Sequence, residues 1–155
     1  MAALELDHGS SGRRAEGPGW ARLELEIPSD VDCIEEVVEV VRDECMAFNF
    51  PERYCALNIP VALAEALSNA ILRGNGEDAG KSVLVRVSVD RRELVLEVRD
   101  EGGGFELQDY LIDPTRPEEL MREDGRGLFL MRALMDRVER FDDGGNVVRL
   151  TLRRP

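Results

Sequence analysis

SVLVRVSVDRRELVLEVRDEGGGF, residues 82–105, joins two strand patterns to a glycine cluster. Val83, Val85, Val87 and Val89 alternate with other residues, and Leu94, Leu96 and Val98 alternate again after Asp90-Arg91-Arg92-Glu93. A period of two turns one face of each strand inward, and the polar residues between them predict a turn, so the stretch reads as a β-hairpin. Parity carries the inward face one step past Val98, to Asp100. A carboxylate that ends an apolar face needs a donor, because burying it unpaired is costly. Glu101-Gly102-Gly103-Gly104-Phe105 follows, and glycines let backbone approach a ligand closely. Two partners suit Asp100: the amides of its own turn, or an amino group on a flat ring, a description that fits adenine.

Upstream, Arg22 to Ile27 alternates as a strand, and Pro28-Ser29-Asp30 supplies a stop and an N-cap. Val31, Ile34, Val37, Val38, Val41, Cys45 and Phe48 recur at steps of three and four, predicting an amphipathic helix that ends before Pro51. A second helix opens at Asn58 or Ile59-Pro60, runs through VALAEALSNAIL (61–72) and closes at Gly74 and Gly76. Residues 1–20, rich in Gly, Ser, Pro and charge, predict a flexible N-terminal tail. Downstream, 101–126 reads as a long loop with a helical turn at 117–121, and Leu128 to Arg137 as a third helix. Val138–Phe141 and Val147–Leu152 flank Asp142-Asp143-Gly144-Gly145-Asn146 as a second hairpin. Helices mixed with antiparallel pairs predict the α+β class: a two-layer sandwich of a mixed, mostly antiparallel sheet with helices on one face, in one domain over 21–155.

The 155 residues carry 32 acids against 20 bases, a formal charge of -12. That excess argues against nucleic acid and anionic lipid as partners. The longest uncharged stretch, Tyr54 to Ala64, is shorter than the roughly 20 apolar residues of a membrane span. No basic start with an apolar region behind it suggests a signal peptide, and Cys33, Cys45 and Cys55 read as reduced thiols, so a cytoplasmic location is expected. Gly80-Lys81-Ser82 resembles the end of a P-loop, but it follows a helix and opens a strand, the reverse of that motif.

Two further features point to chemistry. The 61–72 helix holds a single charge, Glu65, with Asn69 one turn on and opposite the arc of Leu63, Ala66, Leu67, Ala70 and Ile71. A lone carboxylate beside a carboxamide suits a general base and a ligand for a hard cation such as Mg²⁺; a modest solvated stripe is the alternative. Asp124-Gly125-Arg126-Gly127-Leu128 puts glycines and a forked cation at the mouth of a helix, an anion site by dipole and free N–H groups.

In this order the segments resemble the GHKL (Bergerat-fold) superfamily of ATP-binding domains, which includes gyrase-type topoisomerases, heat-shock chaperones, sensor histidine kinases and mismatch-repair ATPases. Glu65-Ala-Leu-Ser-Asn69 resembles the N box, Asp100-Glu-Gly102-Gly-Gly104-Phe105 the first glycine box, and Gly125-Arg-Gly127-Leu128 the second. Size, Asp113-Pro-Thr and Gly125-Arg-Gly-Leu-Phe-Leu-Met131 are most similar to the bacterial anti-sigma-factor serine/threonine kinase branch. A sensor histidine kinase would need a phosphoacceptor-histidine domain, and the sole histidine is His8.

The resemblance implies ATP and Mg²⁺ as cofactors. Asp100 would accept the adenine amino group, with Thr151 sharing its water, and Gly102 and Gly104 would pass close to the base. Asn69 would hold the Mg²⁺, Glu65 would act as the base, and 105–126 would form a lid with Gly125, Arg126, Gly127 and Leu128 near the phosphates. Arg73 would reach a phosphate or stand exposed. The implied function is a protein serine/threonine kinase that sequesters a sigma factor and phosphorylates an anti-anti-sigma (STAS-domain) partner, with a homodimer possible in the family. A non-catalytic ATP-binding regulatory module uses the same residues. Residues 24–52 hold ten acids against Arg42 alone, so a partner on the first helix should present a basic face.

Overall fold

The computed structural model describes residues 2–102 and 123–155, with the side chains of the last helix described from Gly127 onward. Strands β1 (Ala2–Leu4), β2 (Ser11–Gly17), β3 (Trp20–Pro28), β4 (Ser82–Asp90), β5 (Glu93–Arg99), β6 (Arg137–Asp142) and β7 (Asn146–Arg153) form one sheet, ordered β1-β2-β3-β4-β5-β7-β6. Every adjacent pair is antiparallel. Helices α1 (Ile34–Ala47), α2 (Ile59–Asn69) and α3 (Glu123–Leu134) complete the α+β, two-layer arrangement.

The alternation seen in the sequence sorts the two faces of the sheet. Leu23, Leu25 and Ile27 of β3, Val83, Val85, Val87 and Val89 of β4, Leu94, Leu96 and Val98 of β5, and Leu150 and Leu152 of β7 are buried on the helix side. Each fully buried Leu or Ile contributes about 1.5–3 kcal/mol. The other face carries charge ladders: Glu24 lies between Arg13 and Arg86, and Arg149 lies between Glu97 and Glu139 while covering the Phe141 ring. Turn chemistry sets the β4–β5 register, since Asp90 Oδ1 accepts from the N–H groups of Arg92 at 2.7 Å and Glu93 at 2.9 Å.

The expectation of a flexible tail over 1–20 is corrected. Residues 2–17 add β1 and β2 to the sheet. Pro18-Gly19 closes the β2–β3 hairpin between Gly17 and Trp20, with Gly19 at φ 79°. A Pro-Gly pair with the glycine at positive φ is a turn signal, not a mark of disorder. The strand lacked an apolar period because its inward reach is ionic. Arg14 donates from Nε to Glu44 Oε1 of α1 at 2.6 Å and from a terminal nitrogen to Oε2 at 3.3 Å. Asp7 N–H also donates to Glu36 at 2.9 Å, and Leu4 and Leu6 pack on the core. The acidic count of 24–52 is therefore partly offset by Arg13 and Arg14, which lie outside that window.

The second helix is longer than its pattern. Pro60 sits in the first turn of α2, and wider π-type turns flank it at Tyr54–Asn58 and Ala70–Gly74. By length and composition the run Tyr54–Gly74, with mean hydropathy 1.5, is apolar enough to cross a membrane. Here Ile59, Leu63, Leu67 and Ile71 are fully buried among the core side chains. The third helix is also shifted from its expected span of 128–137. It begins at Glu123, so Gly125 and Gly127 lie inside its first turns instead of ahead of them. The expected turn at 117–121, Gly104 and residues 105–122 of the expected lid lie outside the described residues.

Candidate functional site

The run Tyr54–Gly74 is the spine of the site. The apolar arc of α2 faces the core, which leaves Glu65 and Asn69 half-buried on the other side, one turn apart. Helix α3 packs along α2 at this point. A Cβ built on Gly127 would lie 2.8 Å from Glu65 Oε2 and 3.6 Å from Asn69 Nδ2. Glycine at 127 thus leaves the space in which the carboxylate and the carboxamide stand together. Leu128, the next residue, turns the other way and is buried in the core, so its side chain supports α3.

The far end of the spine meets β5. The π-type turn after Asn69 closes with Asn75 N–H donating to Ala70 O at 2.8 Å, and such a turn re-phases a helix. It brings Gly74 against the Asp100 side chain, where a Cβ would collide with the carboxylate. A Cβ on Gly102 would collide with the carbonyl oxygen of Gly74. The pair Gly74 and Gly102 therefore forms a backbone-lined seat in which any larger residue is excluded.

Asp100 is 4% exposed and ends the inward face of β5, as parity requires. Its Oδ1 accepts from Gly102 N–H at 2.9 Å and from Asn146 Nδ2 at 3.3 Å. Burial pushes its carboxyl above the usual carboxylate range, against the pull of these donors. The local turn thus engages one oxygen, while the other lies toward Gly74.

Two asparagines clamp the segment that follows. Asn146, at the start of β7, also donates to Gly102 O at 3.0 Å. On the other flank, buried Asn75 accepts from Glu101 N–H at 2.8 Å and donates to Ser29 Oγ at 2.8 Å and Ser82 O at 2.9 Å. Ser29 Oγ donates in turn to Lys81 O at 2.7 Å. Neither asparagine is visible as a site residue in the sequence. The signal for Asn146 lies in register: β5 pairs with β7 so that Arg99 faces Val147, and Asp100 N–H donates to Asn146 O at 3.1 Å.

The same register corrects the expectation for Thr151. It pairs with Val95, five rows from the Asp100–Asn146 pair and on the opposite face of the sheet. At about 3.4 Å per row it is roughly 17 Å from Asp100 and cannot share a water with it. Arg73 is exposed at the end of the spine. Arg126 and Gly125 are placed in the first turn of α3 as backbone. The structure thus brings Glu65, Asn69 and Gly127 together at one end, and Gly74, Asp100 and Gly102 at the other.

An antiparallel sheet backed by helices, with a carboxylate–carboxamide pair at one end of a helix and a buried Asp beside two glycines at the other, defines an α+β domain with a candidate ligand site. The chain belongs to the histidine kinase-like ATPase domain family, whose profile matches residues 27–152. The serine-protein kinase RsbW of Halalkalibacterium halodurans is 32% identical over 99 residues, covering 61% of this chain and 60% of that protein. The corresponding RsbW of Bacillus subtilis is 31% identical over 99 residues, covering 61% and 62%. The anti-sigma F factor of Clostridium acetobutylicum is 29% identical over 100 residues, covering 63% and 68%. The alignment thus spans about three-fifths of the length of the RsbW relatives. A crystal structure of the RsbU and RsbW domains of a Mycobacterium tuberculosis protein shares the fold, with TM-score 0.59, 18% identity, and coverage of 85% of this chain and 33% of that one.

Proposed function

We propose that this chain is an Mg²⁺–ATP-dependent protein serine/threonine kinase of the anti-sigma type, which holds a sigma factor in one state and phosphorylates a STAS-domain antagonist in another. The observation that carries the reading is the placement of the two ends of one helical spine. Glu65 and Gly74 are nine residues apart, roughly 13 Å at helical rise, a distance a nucleoside triphosphate can span. The donor set suits that group: a buried acceptor at one end, and a carboxamide beside a carboxylate for a hard cation and its phosphates at the other.

When bound, Mg²⁺–ATP supplies the transferable phosphoryl group and the charge that stabilises its leaving side. This chain's residues supply placement. Asp100 accepts an exocyclic amino group, and Asn146 and Gly102 hold the carboxylate in that orientation. Gly74 and Gly102 let the end of the spine and the segment after β5 pack against Asp100, which fixes where its carboxylate stands. Asn69 would hold the cation through its amide oxygen. Glu65, one turn away, takes the proton of the incoming seryl or threonyl hydroxyl at a carboxylate oxygen. The N-terminal turn of α3, which holds Arg126 in its sequence, is the segment we assign to the anionic oxygens of the phosphates. The added phosphate would put about -1.5 to -2 charges on the antagonist and alter its grip by repulsion or pairing. The site needs no membrane, and a cytoplasmic location fits the reading.

The test is incubation of the full chain with Mg²⁺–ATP and a STAS-domain protein from the same bacterium, followed by mass spectrometry. A phosphorylated Ser or Thr on the partner, lost with Glu65→Gln while calorimetric ATP binding persists, is expected. Undiminished transfer by Glu65→Gln overturns the role of Glu65, and no ATP binding by the wild-type chain overturns the whole reading.

A further inference from the structure

Away from the nucleotide site, two buried thiols meet. Cys45 lies in the last turns of α1, and Cys55 lies in the π-type turn that leads into α2. Their sulfurs are 2.7 Å apart. The Cys55 thiol is directed at the Cys45 sulfur, and the gap left to a covalent S–S length of about 2.04 Å is well under 1 Å. The turn that brings them together is held from several sides. Asn49 takes a positive φ of 57°, Phe50 O accepts from the Cys55 thiol at 3.8 Å, and Arg154 donates to Phe48 O at 2.6 Å and Asn49 O at 2.7 Å while stacking over the Phe50 ring. Cys33 is elsewhere, with its thiol directed at His8 O at 4.0 Å.

The two sulfurs are not equivalent. Cys45 is fully buried, and burial together with its contact to Cys55 pushes its thiol far above the ordinary range. Cys55 borders a surface cleft of about 660 Å³ lined also by Arg42, Met46, Phe50 and Glu52. Cys55 is 4% exposed and borders that cleft, so the oxidant to test is a small neutral one.

We propose that Cys45 and Cys55 form a redox-active dithiol that closes to an intramolecular disulfide on exposure to a peroxide. The Cys55 thiolate attacks one oxygen of hydrogen peroxide, the O–O bond breaks, and hydroxide leaves and takes up a proton as water. Cys55 is then a sulfenic acid. The Cys45 sulfur attacks the Cys55 sulfur, the S–S bond forms, the S–O bond breaks, and the departing hydroxide takes the Cys45 proton as a second water. Both sulfurs are oxidised and the peroxide is reduced, with two thiols and one peroxide giving one disulfide and two waters. Disulfides of this kind inside cells are transient and redox-sensing. The bridge would staple the end of α1 to the turn ahead of the helix that carries Glu65.

The experiment uses the full reduced chain, titrated with hydrogen peroxide, unfolded, alkylated with iodoacetamide and measured by mass spectrometry. Alkylatable thiols should fall from three to one, the survivor being Cys33. The intact protein should lose two hydrogens before alkylation. Trypsin should release the peptides 43–53 and 54–73 as a linked pair that dithiothreitol separates. In Cys45→Ser, which removes the resolving sulfur, Cys55 should go on to sulfinic acid; the wild-type peptide map stands even where this variant fails to fold. Three thiols still alkylated at excess peroxide, a bridge to Cys33, a bridge between two chains, or sulfinic acid on wild-type Cys55 with Cys45 free would each overturn the proposal.

Discussion

Gly127 lies directly against Glu65: the position of a Cβ on the glycine is 2.8 Å from the carboxylate oxygen Oε2. Helix α3 and helix α2 therefore meet at the proposed catalytic base through a residue with no side chain. A methyl group there must displace Glu65, whereas the helix itself gains, since Ala is about 0.5–1 kcal/mol better than Gly inside a helix. Gly127→Ala is expected to keep or raise the thermal midpoint while phosphotransfer falls at least tenfold. Thermal melts beside a radiolabel assay check this, and unchanged transfer would remove the contact from the mechanism.

Glu65→Gln keeps the size and polarity of the side chain and removes its capacity to take a proton. Loss of a general base costs about 10²–10⁴ in rate. Nucleotide affinity, measured by calorimetry, should stay within a few-fold of wild type. Asn69→Ala should instead weaken binding itself, and only when Mg²⁺ is present.

Asp100 links stability to pH. Its carboxyl is held above the ordinary value of 3.8 by burial, so the folded chain binds that proton more tightly than the unfolded one. Its contribution to stability is full below the unfolded value and is lost as pH rises through the folded value. Asp100→Asn can keep the acceptor for Gly102 N–H and Asn146 Nδ2 and carries no charge. Urea midpoints of this variant should gain on wild type as pH rises from about 4 to neutrality, while ATP affinity drops at every pH. A variant that loses ground as pH rises would contradict the assigned direction.

Asn75→Ala leaves Glu101 N–H and Ser82 O without their partner in a partly buried place. Each such group costs about 1–3 kcal/mol. Because Glu101 adjoins Asp100, the loss should appear in both chemical denaturation and nucleotide affinity. An Asn146→Ala variant should weaken affinity with a smaller effect on stability, since Asn146 is only half-buried.

Arg14→Ala removes the bidentate partner of Glu44, which is 9% exposed. Hydrogen bonds to charged groups contribute about 1.5–3 kcal/mol, so the unfolding free energy from urea titration should fall by about that amount. Arg14→Met should recover little, because it restores bulk and not charge.

Much of this arrangement is legible in the sequence because it depends on local periods. Parity along Leu94, Leu96 and Val98 puts Asp100 on the inward face, and the charge-poor stretch around Glu65 and Asn69 marks the spine. Pairing across the sheet is not local. Thr151 and Asn146 lie in the same strand, and only the β5–β7 register decides which of them stands beside Asp100. Gly74 reads as a helix stop, yet its place follows from a carboxylate twenty-six residues on. The N-terminal strands escaped because their anchoring is ionic, through Arg14, and because Pro18-Gly19 reads equally as disorder until its φ is known.

The N-terminal hairpin has a consequence for solubility. In the intact sheet the outermost strand on that side is β1, three residues long, and a short border offers little backbone to a neighbouring molecule. Cutting the chain after Gly19 would make the nine residues of β3 the border, with a row of unpaired N–H and C=O groups beside Leu23, Leu25 and Ile27. Such a truncated protein should self-associate edge to edge and precipitate at concentrations where the full chain stays dispersed, although every proposed nucleotide contact would still be present.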